Sequence, residues 1–376
     1  MIRVEDLQKT FQTERGEVRA VQDVNFEVPE GELCILLGPS GCGKTTTLKM
    51  VNRLIPRTSG KIYINERDTD EYDIVELRRH IGYVIQQIGL FPNMTVEENI
   101  CVVPKMLGWS KKQQHERAAD LVNMVALDQS VLSRYPKELS GGQQQRVGLC
   151  RGLAGDPPVL LMDEPFGAID PINREIIQDE FLKMQADLKK TILFVSHDID
   201  EAVKMGDKIA IFRDGKLVQF GTPDNLLAHP VNDFVADFVG GDRELKRMRL
   251  IKISEALKRE VPTVSATDTL DTAAKKVEQA GANHIVVLDD DGRPEGVLTQ
   301  GDLDSKGSCG DSAHPLRTTV QSIKDLRTAV SRMFTYNTDW LAVVDDDGKF
   351  VGEISYRSIT EMLHASRKRG EKKGAA

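Results

Sequence analysis

Three short segments of this chain carry residue types suited to handling a phosphate group. Gly38-Pro39-Ser40-Gly41-Cys42-Gly43-Lys44-Thr45 fits GxxxxGK[ST], a loop whose glycines let backbone N–H groups point at phosphates. Thr46 continues it into a helical pattern, so a helix N-terminus adds partial positive charge at the same place. Lys44 is then expected to reach the β- and γ-phosphates, and the Thr45 hydroxyl to bind Mg²⁺. Asp163 and Glu164 follow the apolar run Val159–Met162. A carboxylate at that strand end can hold Mg²⁺ through water, and its neighbour can orient and polarise the attacking water. His197 follows a third apolar run, Thr191–Val195, through Ser196. Ligands of α/β sheets bind at such strand ends. Gln86, after Ile81–Ile85, is placed to touch metal or water, although a surface glutamine is the ordinary reading.

Between the loop and the acidic pair lies Leu139-Ser140-Gly141-Gly142-Gln143. Ser140 and Gln143 have the Ser-x-x-Gln spacing of a helix capping box. A capped helix start is also an anion site, so the two readings are compatible. This segment is hard to explain by the chain's own nucleotide, and it implies a surface that meets a nucleotide held by another copy.

The elements that must position these residues follow from periodicity. Val18, Val21, Val24, Phe26 and Val28 alternate with polar residues over 1–30, as in antiparallel strands with one face covered. Leu33–Leu37 reads as a buried strand feeding the loop, and Leu48, Val51, Leu54 and Ile55 as a helix after it. Helical signals dominate 92–156, including the amphipathic stretch 111–127. Strands return at 159–162, 191–195 and 208–212, and Asp214-Gly215 marks a hairpin. Strands alternating with helices predict a largely parallel sheet and an α/β class.

The charged stretch 243–257 reads as a helical connector. Beyond it the chain repeats: His284-Ile-Val-Val-Leu-Asp-Asp-Asp-Gly292 matches Trp340-Leu-Ala-Val-Val-Asp-Asp-Asp-Gly348 at an offset of 340 − 284 = 56 residues. Gly296 and Gly352 follow four residues after each turn. Two small copies, each short of a core alone, should pack together. The expected boundaries are 1–240, a connector 241–257, repeats 258–313 and 314–366, and a basic tail 367–376.

The 376 residues suffice for more than one domain. A net charge of −8 and a pI near 5.5 disfavour a nucleic-acid partner. The five cysteines form no CxxC pair and read as reduced thiols of a cytosolic protein. Asp and Glu within the first six residues do not fit a secretory leader, and no apolar run approaches the roughly 20 residues of a membrane span. Cys42, beside Lys44 and a helix start, is expected to favour its thiolate and to be alkylation-sensitive, with ATP protecting it.

Taken together, the motifs resemble the ATP-binding-cassette (ABC) ATPases over residues 1–240, in order and spacing. The resemblance implies ATP and Mg²⁺ as ligands, with Asp163 and Gln86 near the metal. Phe11 looks like the aromatic that stacks on adenine. Ser140, Gly141, Gly142 and Gln143 look like the signature that closes over a partner's ATP, and Ala168-Ile169-Asp170 like the loop signalling across a dimer. It further implies a homodimer and integral membrane permease subunits docked on the helical region, with a substrate-binding protein met only indirectly. The location implied is the cytoplasmic face of the inner membrane. Gly148 and Gly152 stand where the family more often has Ala.

Within that family, Val51–Ile55, Val75–Arg79 and Ile85–Pro92 look like the ATPases of osmoprotectant importers, which take up glycine betaine, carnitine and choline. The repeat resembles paired CBS domains. Thr299 and Asp302 look like the Thr and Asp that hold a ribose, so if an adenine nucleotide binds the pair, the first repeat is the better site, where the second has Ser358. A bare dimer clamp is the alternative for this pair. Other readings of the whole are an importer ATPase for an amino acid or polyamine, a soluble ABC ATPase, and a non-catalytic regulatory protein. The intact Lys44, Glu164 and His197 weigh against the last.

Overall fold

The computed structural model describes residues 1–14, 16–85, 89–167, 169–304 and 307–373, with side chains as far as His364. They fall into two compact units, one of 1–226 with 230–239, the other of 227–229 with the residues from Gly240 onward.

In the first unit, alternation at the N-terminus builds an antiparallel sheet. β1 (Ile2–Thr13) pairs with β2 (Gly16–Val28). The continuous apolar run of β3 (Leu33–Leu37) cannot face water on either side and enters a second sheet, with all five residues buried. β4 (Ser59–Ile64) and β5 (Arg67–Asp68) complete the first sheet in the order β2-β1-β4-β5. β6 (Ile81–Val84), β7 (Val159–Asp163), β8 (Thr191–Val195), β9 (Lys208–Arg213) and β10 (Lys216–Gly221) join β3 in the order β10-β9-β3-β8-β7-β6. The sheet is parallel except for the hairpin β9–β10. Asp214 and Gly215 in that hairpin both have positive φ (49° and 80°), as a two-residue turn of this twist requires.

The helix Lys44–Val51 packs between the two sheets. Its Leu48, Met50 and Val51 share one core with Val4, Val24 and Ile62 of the first sheet and Leu36, Leu161 and Val195 of the second. The helices of 96–153 form the helical region, the last being Gly141–Leu153. A side chain at Gly152 would meet Val84 at 2.7 Å, and one at Gly82 would meet the Gly152 carbonyl at 2.3 Å. The glycine in this helix therefore serves a close approach to β6, which outweighs its low helix propensity.

In the second unit each repeat folds alike. β11 (Thr263–Ser265) lies parallel to β12 (His284–Leu288), which pairs antiparallel with β13 (Pro294–Thr299); β14 (His314–Pro315) adds an edge. β15 (Thr319–Gln321), β16 (Trp340–Val344) and β17 (Phe350–Ser355) repeat the pattern. The copies meet at matched positions. The His284 and Trp340 rings stack with centroids 4.1 Å apart, and His284 Nε2 lies 2.8 Å from Glu353 Oε2.

The stretch 241–257 is not a free-standing connector. It forms two short helices, Arg243–Arg247 and Ile253–Ala256. Ile251 and Ile253 are buried in the core of the second repeat with Val320, Leu326, Leu341 and Ile354. The Ile253 N–H donates to the Lys324 carbonyl (2.8 Å) and the Leu326 N–H to that of Ile251 (3.0 Å). Met248, Ala256 and Leu257 pack against the same core, so the segment is anchored along its length although its interleaved charges hide a clear period in the sequence.

Candidate functional site

The phosphate-type loop springs from β3 into the helix Lys44–Val51. Gly38 and Gly43 adopt φ of 148° and 104°, and a Cβ there would lie 2.3 Å from the Phe212 carbonyl and 2.4 Å from that of Ala20. Only glycine fits both the conformation and the approach. Ser40, Gly41, Cys42, Gly43, Lys44, Thr45 and Thr46 line a cavity of about 600 Å³ together with Glu164 and His197. Lys44 Nζ donates to the carbonyls of Gly38 (2.6 Å) and Pro39 (2.9 Å). An incoming phosphate exchanges these neutral acceptors for charged oxygens, which bind an ammonium more strongly.

Thr45 Oγ1 donates to Asp163 Oδ1 at 2.9 Å. Asp163 is buried at the end of β7, and that burial pushes its carboxyl above the ordinary range despite the Thr45 hydrogen bond. Hydroxyl and carboxylate are hard oxygen donors, and two such groups with phosphate oxygens and water make up a Mg²⁺ site. The donor set therefore fits the ion.

Glu164 turns out of the strand with φ 49°, a left-handed conformation that costs of order 1–3 kcal/mol for a non-glycine residue. Its N–H donates to the Val195 carbonyl (3.0 Å), and its own carbonyl accepts from Gly167 N–H (3.2 Å) and Gln145 Nε2 (3.1 Å). The turn aims its carboxylate at the cavity, where Oε1 lies 3.5 Å from His197 Nδ1. Gln145 was not singled out in the sequence. It sits next but one to Gln143 in a run of glutamines, and nothing local distinguishes it.

Ser140 caps the helix Gly141–Leu153. Its hydroxyl accepts the Gln143 N–H and the Gln143 side chain accepts the Ser140 N–H, which completes the capping box. Ser140, Gly142 and Gln143 line a second cavity of about 530 Å³ with Asp170 and Asn173. It shares no lining residue with the first. Asp170 caps the helix Pro171–Leu188, accepting from the Asn173 N–H (3.1 Å) and side chain (2.9 Å), and these bonds hold its carboxyl low.

The other expected residues lie as follows. Phe11 lies exposed on β1 opposite Val18, with Lys9 Nζ 4.8 Å from its ring centroid, and does not line the cavity. Gln86 lies outside the described residues. Cys42 is not poised as a thiolate. It is 4% exposed, and burial raises its thiol more than the neighbouring Lys44 lowers it. In the second unit Thr299 and Asp302 bind each other: the Thr299 N–H and hydroxyl both donate to Asp302 Oδ2 at 2.7 Å, and His314 Nε2 lies 3.0 Å from Oδ1.

A parallel sheet whose strand ends gather a GxxxxGKT loop, an Asp-Glu pair and a histidine, with a capped Ser-Gly-Gly-Gln helix facing elsewhere, defines an ATP-binding cassette. The ABC-transporter family model matches residues 21–167, and the CBS-domain model matches 253–306 and 318–365. The chain belongs to the ATP-binding proteins of ABC transporters, and it is an ATP hydrolase of the transport type. It is 54% identical over 98% of both chains to the osmoprotectant import ATP-binding protein OsmV of Salmonella typhimurium. It is 42% identical, over 97% of both chains, to the glycine betaine/carnitine/choline transport ATP-binding protein OpuCA of Bacillus subtilis. Its fold matches the ATP-binding cassette MJ0796, solved as a dimer in a post-hydrolysis state with ADP and Pi, at TM-score 0.56 and 33% identity over 59% of this chain and 98% of that one.

Proposed function

We propose that this chain is the ATP-hydrolysing subunit that energises import of quaternary-amine osmoprotectants, with glycine betaine, carnitine and choline as the substrate class. The names of relatives that match nearly its whole length support the substrate. The observation that carries the mechanism is the pair of separate cavities. One chain presents the phosphate loop, Glu164 and His197 in one place and Ser140–Gln143 in another, so a complete site needs two copies facing each other.

In that arrangement the backbone N–H groups of Gly41–Thr46 and Lys44 hold the ATP phosphates. Thr45 and Asp163 would hold Mg²⁺, which would supply positive charge to offset the negative charge of the phosphates. Glu164 orients the attacking water and accepts its proton, and His197 contacts the γ-phosphate and faces Glu164. Ser140, Gly141, Gly142 and Gln143 of the second copy close over the triphosphate, and Asp170 lies beside them. Phe11 would stack on adenine after Lys9 swings from its ring. A groove of about 350 Å³ lined by Arg78, Tyr83, Phe91, Val103 and Arg151 lies at the helical region and is a fitting seat for a permease segment. Among the described residues no helix is long and apolar enough to cross a membrane, and membrane association would come through permease subunits at the cytoplasmic face of the inner membrane. An adenine nucleotide at the first CBS repeat would have to replace the Thr299–Asp302 bond.

The central test is Glu164→Gln. It is expected to bind ATP, to form a long-lived dimer seen by size exclusion, and to lose at least about 100-fold in turnover. Wild-type-like hydrolysis would sink the assignment. Uptake of labelled betaine, carnitine, choline, an amino acid and a polyamine into vesicles holding the complete transporter tests the substrate class.

A further inference from the structure

Behind His197 stands a set of polar groups that the hydrolysis scheme leaves unused. Ser196 directly follows β8, is 2% exposed and immediately precedes His197. Its hydroxyl donates to Glu201 Oε2 (2.5 Å) and accepts the Asp198 N–H (3.0 Å), which pins the backbone on both sides of the histidine. The other oxygen of the same carboxylate, Glu201 Oε1, accepts from Gln178 Nε2 at 2.9 Å. Gln178 is buried in the helix Pro171–Leu188, the helix that Asp170 caps beside the signature cavity. Glu201 itself sits in the first turn of the helix Ile199–Met205, where Asp198 Oδ1 accepts its N–H. A second tie between these two helices, Lys204 Nζ to Asp179 Oδ1 at 2.7 Å, keeps them in register. Glu164, Arg174, Ser196, His197 and Glu201 all border one small cavity of about 40 Å³. The clasp thus touches the same space as the two groups assigned to hydrolysis.

We propose that Glu201 is a positioning residue for ATP hydrolysis: its carboxylate clasps Ser196 on one side and Gln178 on the other. The turn bearing His197 is thereby held at its distance from Glu164 and moves with the helix that begins at Asp170. The inference rests on the assignment of His197 proposed above. The physical reason is economy of freedom. His197 is two-thirds exposed, with 66% of its side chain accessible, so packing cannot fix it. What fixes it is the backbone on either side, and Ser196 can hold that backbone only while Glu201 holds Ser196. Loss of the carboxylate leaves the Ser196 hydroxyl and the Gln178 amide without their shared acceptor and frees the turn. Misplacing a group by about 1 Å at a hydrolytic centre costs up to about 100-fold in rate. The same clasp joins a helix capped beside the signature cavity to the γ-phosphate side of the first cavity, so docking of a partner at Asp170 reaches His197 without a direct contact.

The test is a double-mutant cycle in the full chain with MgATP, reading kcat, KM and ATP affinity, with thermal unfolding as the control for folding. Glu201→Ala is expected to lower kcat roughly tenfold while KM and ATP affinity stay within about twofold. In a His197→Ala background the same substitution is expected to lower kcat by less than about twofold, since there is no longer a histidine to place. Glu201→Gln keeps the shape and one acceptor oxygen for the Gln178 amide, while its new NH2 group can donate to the Ser196 oxygen in a reversed bond, and it is expected to recover most of the rate. If Glu201→Ala does not fold, Ser196→Ala takes its place in the same cycle. Equal losses of kcat in both backgrounds, or no loss in either, would overturn the clasp. A large loss in His197→Ala with none in Glu201→Ala overturns the clasp alone, whereas wild-type turnover in His197→Ala removes the role of His197 itself.

Discussion

At Cys42 two influences of opposite sign compete, and the outcome is measurable. The Lys44 ammonium 3.7 Å from Sγ favours a thiolate, and so do the amides at the start of the helix. Burial within the loop disfavours it, and burial is the larger effect. A raised thiol value means less thiolate at neutral pH, and it is the thiolate that reacts. N-ethylmaleimide is therefore expected to label Cys42 in the folded chain more slowly at pH 7 than in the urea-unfolded chain, with the rate climbing as pH rises. ATP should slow it further by filling the loop. Mass spectrometry of the loop peptide reads both effects, and labelling at the unfolded rate would contradict the burial argument. The same weighing explains the neighbouring residues. Lys44 keeps carbonyl partners inside the loop, and Asp163 shares its proton-accepting oxygen with Thr45. Glu164 holds a left-handed backbone in which strain is traded for aim.

Elements succeed or fail by how closely they approach one another, and the helix Gly141–Leu153 against β6 is one of the tight cases. Ala at Gly152 would gain up to about 1 kcal/mol in helix propensity but would press on the Val84 side chain at 2.7 Å, which can rotate. Ala at Gly82 would press on a backbone carbonyl at 2.3 Å, which cannot. Gly82→Ala is thus expected to destabilise by about 3 kcal/mol or more and Gly152→Ala by less than about 2, a ranking that urea denaturation checks. The contrast also shows what was legible beforehand. The GxxxxGKT loop, the strand ends carrying Asp163 and His197, and the capping box of Ser140 and Gln143 each lie within a few consecutive residues, where spacing alone constrains geometry. Gln145 on the Glu164 carbonyl and Gln178 on Glu201 join residues 19 and 23 positions apart. No local period marks such pairs, because the partners are brought together by the sheet and not by their own segments. The cost of Gly152 was visible in the sequence; the approach that justifies it was not.

For the whole molecule, the point where one unit ends and the other begins decides which fragments can exist. Ile251 and Ile253 belong to the core of the second repeat, so a cassette fragment ending at Leu257 exposes both, whereas one ending at Val239 exposes neither. The shorter fragment is expected to stay monodisperse and the longer one to aggregate, by light scattering at equal concentration. Within the second unit, the two repeats are joined at Glu353, which faces His284 (2.8 Å) from β12 and Lys258 Nζ (3.4 Å). Burial alone would raise this carboxyl, but the His284 hydrogen bond and the two facing basic groups outweigh it and hold the value below the ordinary range. A depressed value in the folded state means that the ionised form is favoured by folding. The stability it contributes is present above the unfolded carboxylate value and is lost as pH falls through the lower, folded one. Glu353→Gln is therefore expected to cost about 1–3 kcal/mol at pH 7, as for a hydrogen bond to a charged group. That deficit should close as the wild type itself protonates in acid. Thermal melts of the full chain and the variant from neutral to acid pH test this directly: a deficit that stays constant with pH would show that Glu353 joins the repeats by shape, not by charge.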